Sequence, residues 1–133
     1  MAPVARLNIP PCPKPRMTRA DRWKKRQSVV KFFAFRDAVR QYKESDVVKR
    51  SMYHHPNLEF ESFEIEFHIP MPKSWSKKKK TEMNGNPHQQ RPDLDNYLKA
   101  WKDSVFEEDS VVWRVKATKL WTDGSGHIIV SYL

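Results

Sequence analysis

The stretch 91–121, RPDLDNYLKAWKDSVFEEDSVVWRVKATKLW, changes its hydrophobic period once, and that change decides the fold. In its first half, Leu94, Tyr97, Leu98, Trp101 and Val105 fall on a narrow arc at about 100° per residue, which predicts an amphipathic helix. The helix is expected from Asn96 to about Phe106, with Asp95 as its N-cap. In the second half, Val111, Trp113, Val115 and Ala117 alternate with Val112, Arg114, Lys116 and Thr118, the two-residue period of a strand. Downstream, Thr122 to Gly126 reads as a turn and His127 to Tyr132 as a last strand, hairpin-paired with its predecessor. Upstream, Phe63, Ile65, Phe67 and Ile69 alternate with Glu64, Glu66 and His68 in a strand that stops at Pro70. Between lies MPKSWSKKKKTEMNGNPHQQRP, a polar stretch with room for a short helix from Ser74 or Ser76. Phe32, Phe35, Val39 and Tyr42 recur at helical spacing over roughly 28–45. Leu7 and Ile9 suit a short edge strand, and Pro13 to Arg26 an irregular basic loop. Strands before, between and after two main helices predict an α+β class, a small mixed sheet with those helices on one face, in a single domain over 1–133.

Composition narrows the function. The chain has 133 residues, enough for one core without disulfides, and Cys12 is its only cysteine. Its three glycines, Gly85, Gly124 and Gly126, cannot build a phosphate-cradling glycine loop. Twenty-five Lys and Arg against sixteen Asp and Glu give a net charge of +9. A small domain so basic is expected to meet a polyanion, with nucleic acid ahead of an acidic membrane surface. No apolar run reaches membrane-spanning length, and a cytoplasmic location is expected.

The chemistry concentrates at Arg91-Pro92-Asp93-Leu94-Asp95-Asn96. Read as extended chain, Asp93 and Asp95 point to one side and Leu94 to the other. Along the helix, Asp95, Lys99 and Asp103 follow at four-residue intervals and form a polar stripe beside the apolar arc. Asp109 shares the strand parity of Val111 to Ala117 and so faces their apolar side, which is costly unless the carboxylate is paired or bound to a cation. Hard oxygen donors suit Mg²⁺, with Mn²⁺ as a substitute. Such ions polarise a phosphodiester and lower the pKa of bound water, and Lys99 would add positive charge where negative charge builds up. Asp-x-Asp alone is weak evidence, since it also caps helices and marks some nucleotide-sugar transferases.

At these residues the chain resembles the RusA family of Holliday-junction resolvases. The resemblance rests on Arg91-Pro92-Asp93-Leu94-Asp95-Asn96, Lys99, Asp103, Asp109 with Ser110-Val111-Val112, and Lys119. It is clear over about 91–121 and weaker at Pro13-Lys14-Pro15-Arg16 and the strand before Pro70. It implies a Mg²⁺-dependent endonuclease that acts as a homodimer on branched DNA. By the same implication Asp93, Asp95 and Asp109 are metal-binding acids, Lys99 is the catalytic lysine and Asp103 is supporting. The family often carries two aspartates where this chain has Glu108-Asp109, which leaves the role of Glu108 open. A twofold dimer would present two identical sites to a four-way junction.

Further DNA contacts are expected from Lys73, Lys77, Lys78, Lys79, Lys80 and Arg91, from Trp75 stacking on an unpaired base, and from a second strip, Lys14, Arg16 and Arg19. A solvated lysine run and a core tryptophan are the competing readings. Fully extended chain would put Lys119 about 33 Å from Asp109, which assigns it to DNA or a buried ion pair rather than to the same metal shell. His54, His55, His68, His88 and His127 lack ligand spacing and read as structural or surface residues. The alternative to a nuclease is a branched-DNA-binding accessory protein that keeps the fold without the activity.

Overall fold

The computed structural model describes residues 4–44 and 58–133. Its elements are β1 (Val4–Leu7), α1 (Gln27–Lys43), β2 (Ser62–Pro70), α2 (Lys77–Met83), α3 (Leu94–Val105), β3 (Arg114–Thr122) and β4 (His127–Tyr132). Short 3-10 turns occupy Arg19–Arg22 and Asp109–Val111. This is an α+β fold with one mixed sheet, as the alternating and helical periods predict. His54 and His55 lie outside the described residues.

The strand order is β1-β4-β2-β3. β2 and β3 run parallel, and β4 is antiparallel to both β1 and β2. The expected β3–β4 hairpin is therefore absent. The turn after β3 carries the chain across the end of β2 and delivers β4 to the far side of that strand. Gly126 makes the step possible: at φ +95° it lies so close to Pro70 that a Cβ would stand 3.0 Å from the proline ring and 3.2 Å from the His68 carbonyl oxygen. A turn of this length looks the same in sequence whether it reverses beside its own strand or steps over a neighbour.

Registered residues on paired strands share a face. Leu7, Ile128, Phe67 and Lys119 form one such row across all four strands, and Ala5, Val130, Ile65 and Ala117 form another. This face, with Phe63, Ile69 and Trp121, contributes to the core that α1 and α3 complete. The apolar arc of α3 is buried as its spacing predicts: Tyr97, Trp101 and Val105 are buried, and Leu94 and Leu98 are half-buried against the core. From α1 come Val29, Phe32, Phe35 and Val39.

The outer edge of β3 is not bare. Gly85 donates to the Trp121 carbonyl, Trp121 donates to that of Asn86, and His88 donates to that of Lys119, at 2.9, 2.9 and 3.0 Å. The polar stretch before the acids thus runs as an extended rail along β3. Its lysine run forms α2, with Ser76 as the N-cap accepting from the Lys79 amide at 3.1 Å, so the short helix expected there is present.

Candidate active site

The acids lie where the rail turns into α3. That helix starts at Leu94, and its N-cap is Asp93 rather than Asp95. Asp95 therefore sits in the first helical turn, and the extended geometry that would align it with Asp93 does not apply. The Asn96 amide donates to the Asp93 carbonyl at 3.1 Å and closes the turn through the main chain. The Asp93 carboxylate makes no capping hydrogen bond. Among the described residues no ion pair holds Asp93, Asp95 or Asp109. An open pocket of about 450 Å³ is lined by Arg91, Pro92, Asp93 and Asn96. Asn96, present in the motif but given no role there, is a pocket residue, and its position three residues after Asp93 was the available signal.

Lys119 fixes this corner. It lies on the core-facing row of β3, yet its ammonium group reaches out to donate to the carbonyls of Gln90 at 2.6 Å and Pro92 at 2.9 Å. Those carbonyls belong to the residues leading into Asp93, and the Arg91–Pro92 peptide between them is cis. Beside it, His88 is buried with its Nδ1 unpaired among the described residues, and its ring lies 4.3 Å from that of Trp121. Burial, and then the nearby Lys119 charge, push the His88 pKa below the usual histidine value.

One helical turn into α3, Lys99 is exposed, and its ammonium lies 3.8 Å from Asp103. Asp103 is bound more closely from the other side by Lys14, at 3.2 Å. Lys14 also packs its ammonium 4.1 Å from the centre of the Phe32 ring, and its amide donates to the Asn96 carbonyl at 3.0 Å. Lys14 thereby straps the N-terminal segment across α3 beside the acids. Lys99 keeps the looser, solvent-screened contact.

Asp109 does not start a strand. It opens the 3-10 turn Asp109–Val111, capped by the Glu108 carboxylate accepting from the Ser110 amide at 3.4 Å. β3 begins five residues later than Asp109, at Arg114, once the Trp113 amide has bonded to the Glu61 carbonyl. The strand-parity argument for Asp109 therefore fails. Glu108 lines a separate depression with Glu59, Glu61 and Glu107, away from the pocket at Asp93.

The other expected contacts lie on α2 and the stretch around it and on the N-terminal loop. Lys73, Lys77, Lys78 and Lys79 are exposed, and Lys80 is half-buried. Trp75 is half-buried; its ring lies 4.8 Å from that of Trp121, with the Lys79 ammonium 4.2 Å from its centre. Arg16, Arg19 and Arg91 are exposed.

Carboxylate oxygens are the donors Mg²⁺ and Mn²⁺ prefer. Among the described residues, however, no three His, Cys, Asp or Glu side chains come close enough to enclose a metal. One chain thus fits a hydrated ion held by a carboxylate or two and completed by water and phosphate, the usual manner of Mg²⁺, and does not fit an all-protein cage. No helix among the described residues is long and apolar enough to cross a membrane.

Comparison with curated proteins finds no match. The family model described as Endodeoxyribonuclease RusA matches residues 8–131, taking in the strap, the rail, α1, α3, β2, β3 and all of β4 but Tyr132, while β1 lies just before it. With nearly the whole chain covered, the protein belongs to the RusA endodeoxyribonuclease family.

Proposed function

We propose that this protein is a divalent-metal-dependent endonuclease that resolves Holliday junctions and related branched DNA by paired phosphodiester hydrolysis as a homodimer. Family membership implies junction endonuclease activity. The observation that carries the rest is the corner at Asp93: a carboxylate free of its capping role, at the mouth of a pocket, beside Arg91 and Asn96. Of Asp93, Asp95 and Asp109, one or two would hold a hydrated Mg²⁺ whose remaining positions water and the DNA phosphate complete. The ion supplies Lewis acidity toward the phosphate and hydroxide near neutral pH. Lys99 moves toward the phosphoryl oxygens and offsets their growing charge. Arg91, whose planar guanidinium suits phosphate, grips the strand at the pocket rim. Lys119 holds the Gln90 and Pro92 carbonyls so that Asp93 is presented in one position.

The test is cleavage of a synthetic four-way junction with Mg²⁺ or Mn²⁺, and with EDTA. Paired nicks should require the metal, and Asp95→Asn should remove cleavage while junction binding persists. Wild-type cutting by Asp95→Asn would show the site to be misassigned. Tight junction binding with no cleavage under any divalent ion would favour the accessory-protein reading.

A further inference from the structure

The loop between the strap and α1 is built unlike an ordinary surface loop. Residues 16–26 contain six cations and one acid, Asp21. That acid is spent inside the loop. The Arg26 guanidinium donates to both Asp21 oxygens, at 2.8 and 2.9 Å, and the Thr18 amide donates to Asp21 at 2.6 Å. The Arg26 guanidinium also donates to the Arg16 carbonyl at 2.7 Å, which ties the end of the loop to its beginning. These bonds hold the Asp21 carboxyl well below the usual carboxylate range, with the Arg26 hydrogen bond the largest cause. Six cations less Arg26 leave Arg16, Arg19, Arg22, Lys24 and Lys25 exposed, with no ion-pair partner among the described residues.

At the tip stands Trp23, 72 % exposed, its amide fixed to the Ala20 carbonyl at 3.1 Å. The other four tryptophans are accounted for. Trp101 is buried, Trp75 and Trp121 pack on each other, and Trp113 carries the Arg114 guanidinium 5.0 Å from its ring centre. Among the described residues nothing covers the Trp23 ring by stacking or by a cation. Exposing so large an apolar surface on a pinned, strongly basic loop gains nothing for the fold. It suits a partner that brings negative charge and a flat π face together, as an unpaired base beside its own phosphate does.

The loop also lies close to the acids. Lys14 is bonded to the Asn96 carbonyl of α3, and Arg16, where the loop closes, is two residues on, at most about 7 Å along the chain.

We propose that Trp23, on the platform of Arg16, Arg19, Arg22, Lys24 and Lys25, stacks on an unpaired base at the branch point of the substrate, so that the loop reads the branch rather than the duplex arm. This rests on the branched-DNA reading above. The cations track the phosphates on either side, and the Asp21–Arg26 staple keeps the ring from collapsing onto the protein before DNA arrives.

The experiment measures binding of the full-length protein, in EDTA so that no strand is cut, to a four-way junction with 2-aminopurine at the branch and to a linear duplex of matched length. Trp23→Ala should weaken junction binding about 5- to 100-fold, the range of one lost base–aromatic stack, and leave duplex binding within about twofold. It should also abolish the 2-aminopurine signal change, and Trp23→Phe should restore both. Because the ring is mostly exposed and has no stacking or cation partner among the described residues, an unchanged melting curve for Trp23→Ala is expected. Equal junction affinity in Trp23→Ala overturns the proposal, as does an equal loss on junction and duplex. A shift in self-association with junction binding intact also overturns it, and assigns the ring to contact between copies. If the 2-aminopurine response is as expected but Mg²⁺ produces no cleavage, the nuclease reading fails and this one stands.

Discussion

A lysine on the inward row of a sheet is expensive unless its charge is answered, and Lys119 is answered by two main-chain carbonyls rather than by an acid. Main-chain carbonyls carry no charge of their own, so the corner before Asp93 is held without a second acid. Lys119→Met should cost about 1–3 kcal/mol, the worth of charge-assisted hydrogen bonds, seen in denaturant melts. It should also lower kcat of junction cleavage at least tenfold with little change in junction affinity, and Lys119→Arg should recover part of the rate. A loss of affinity with kcat intact would instead make Lys119 a DNA contact. At this scale the acids were legible in the sequence because charged residues so close together in Arg-Pro-Asp-Leu-Asp-Asn are conspicuous. Their mutual geometry was not, because a two-residue difference in where α3 starts separates an extended pair from a capping residue and a helical one. The role of Lys119 was hidden for a related reason. Its distance from Asp109 along the chain says nothing of the loop that β3 passes.

Among the elements, the helices and strands were readable wherever one face is apolar, as in α3 and β2. The neighbour of β4 was not, because Thr122 to Gly126 carries no mark of the strand it crosses. Gly126 is the mark, visible only once Pro70 is seen beneath it. Gly126→Ala meets both the positive φ and the proline ring and should cost about 2–4 kcal/mol, lowering the melting temperature by several degrees. The control is Gly124→Ala, where φ is +145° but nothing lies within 4 Å of the added carbon. It should be the milder of the two. Equal effects would mean that backbone conformation, and not the approach to Pro70, limits the site. The short helix of the lysine run 77–80 was legible from its Ser76 cap, whereas the run's use, DNA contact or a solvated face, was not, because both leave Lys77, Lys78 and Lys79 exposed.

For the whole molecule, two histidines make stability depend on pH. Burial lowers the pKa of both His88 and His127. The Lys119 charge adds to this for His88, as do first His68 and then Arg6 for His127, while Glu66 opposes the shift. The folded chain therefore resists protonation that the unfolded chain accepts near pH 6.5, so below that pH the unfolded state binds more protons. Stability should be full above about pH 6.5 and fall as pH drops through the lowered folded values. Melting temperatures from pH 7.5 to 5 should show this, and His88→Phe should flatten part of the slope. A profile that His88→Phe leaves unchanged would put the effect elsewhere, with His127 next in line.

The rail along β3 has a consequence for how this sheet can meet other chains. An uncovered strand edge is a template for any passing strand, in aggregation as in regulated pairing. Residues 85–88 are bonded along residues 119–121 of one margin, β3, and the opposite margin, β1, is four residues long. Growth of the sheet is thereby blocked along the second half of β3 and limited at β1 to a foothold too short to hold a long recruit, which leaves the first half of β3 as the stretch where another strand could pair.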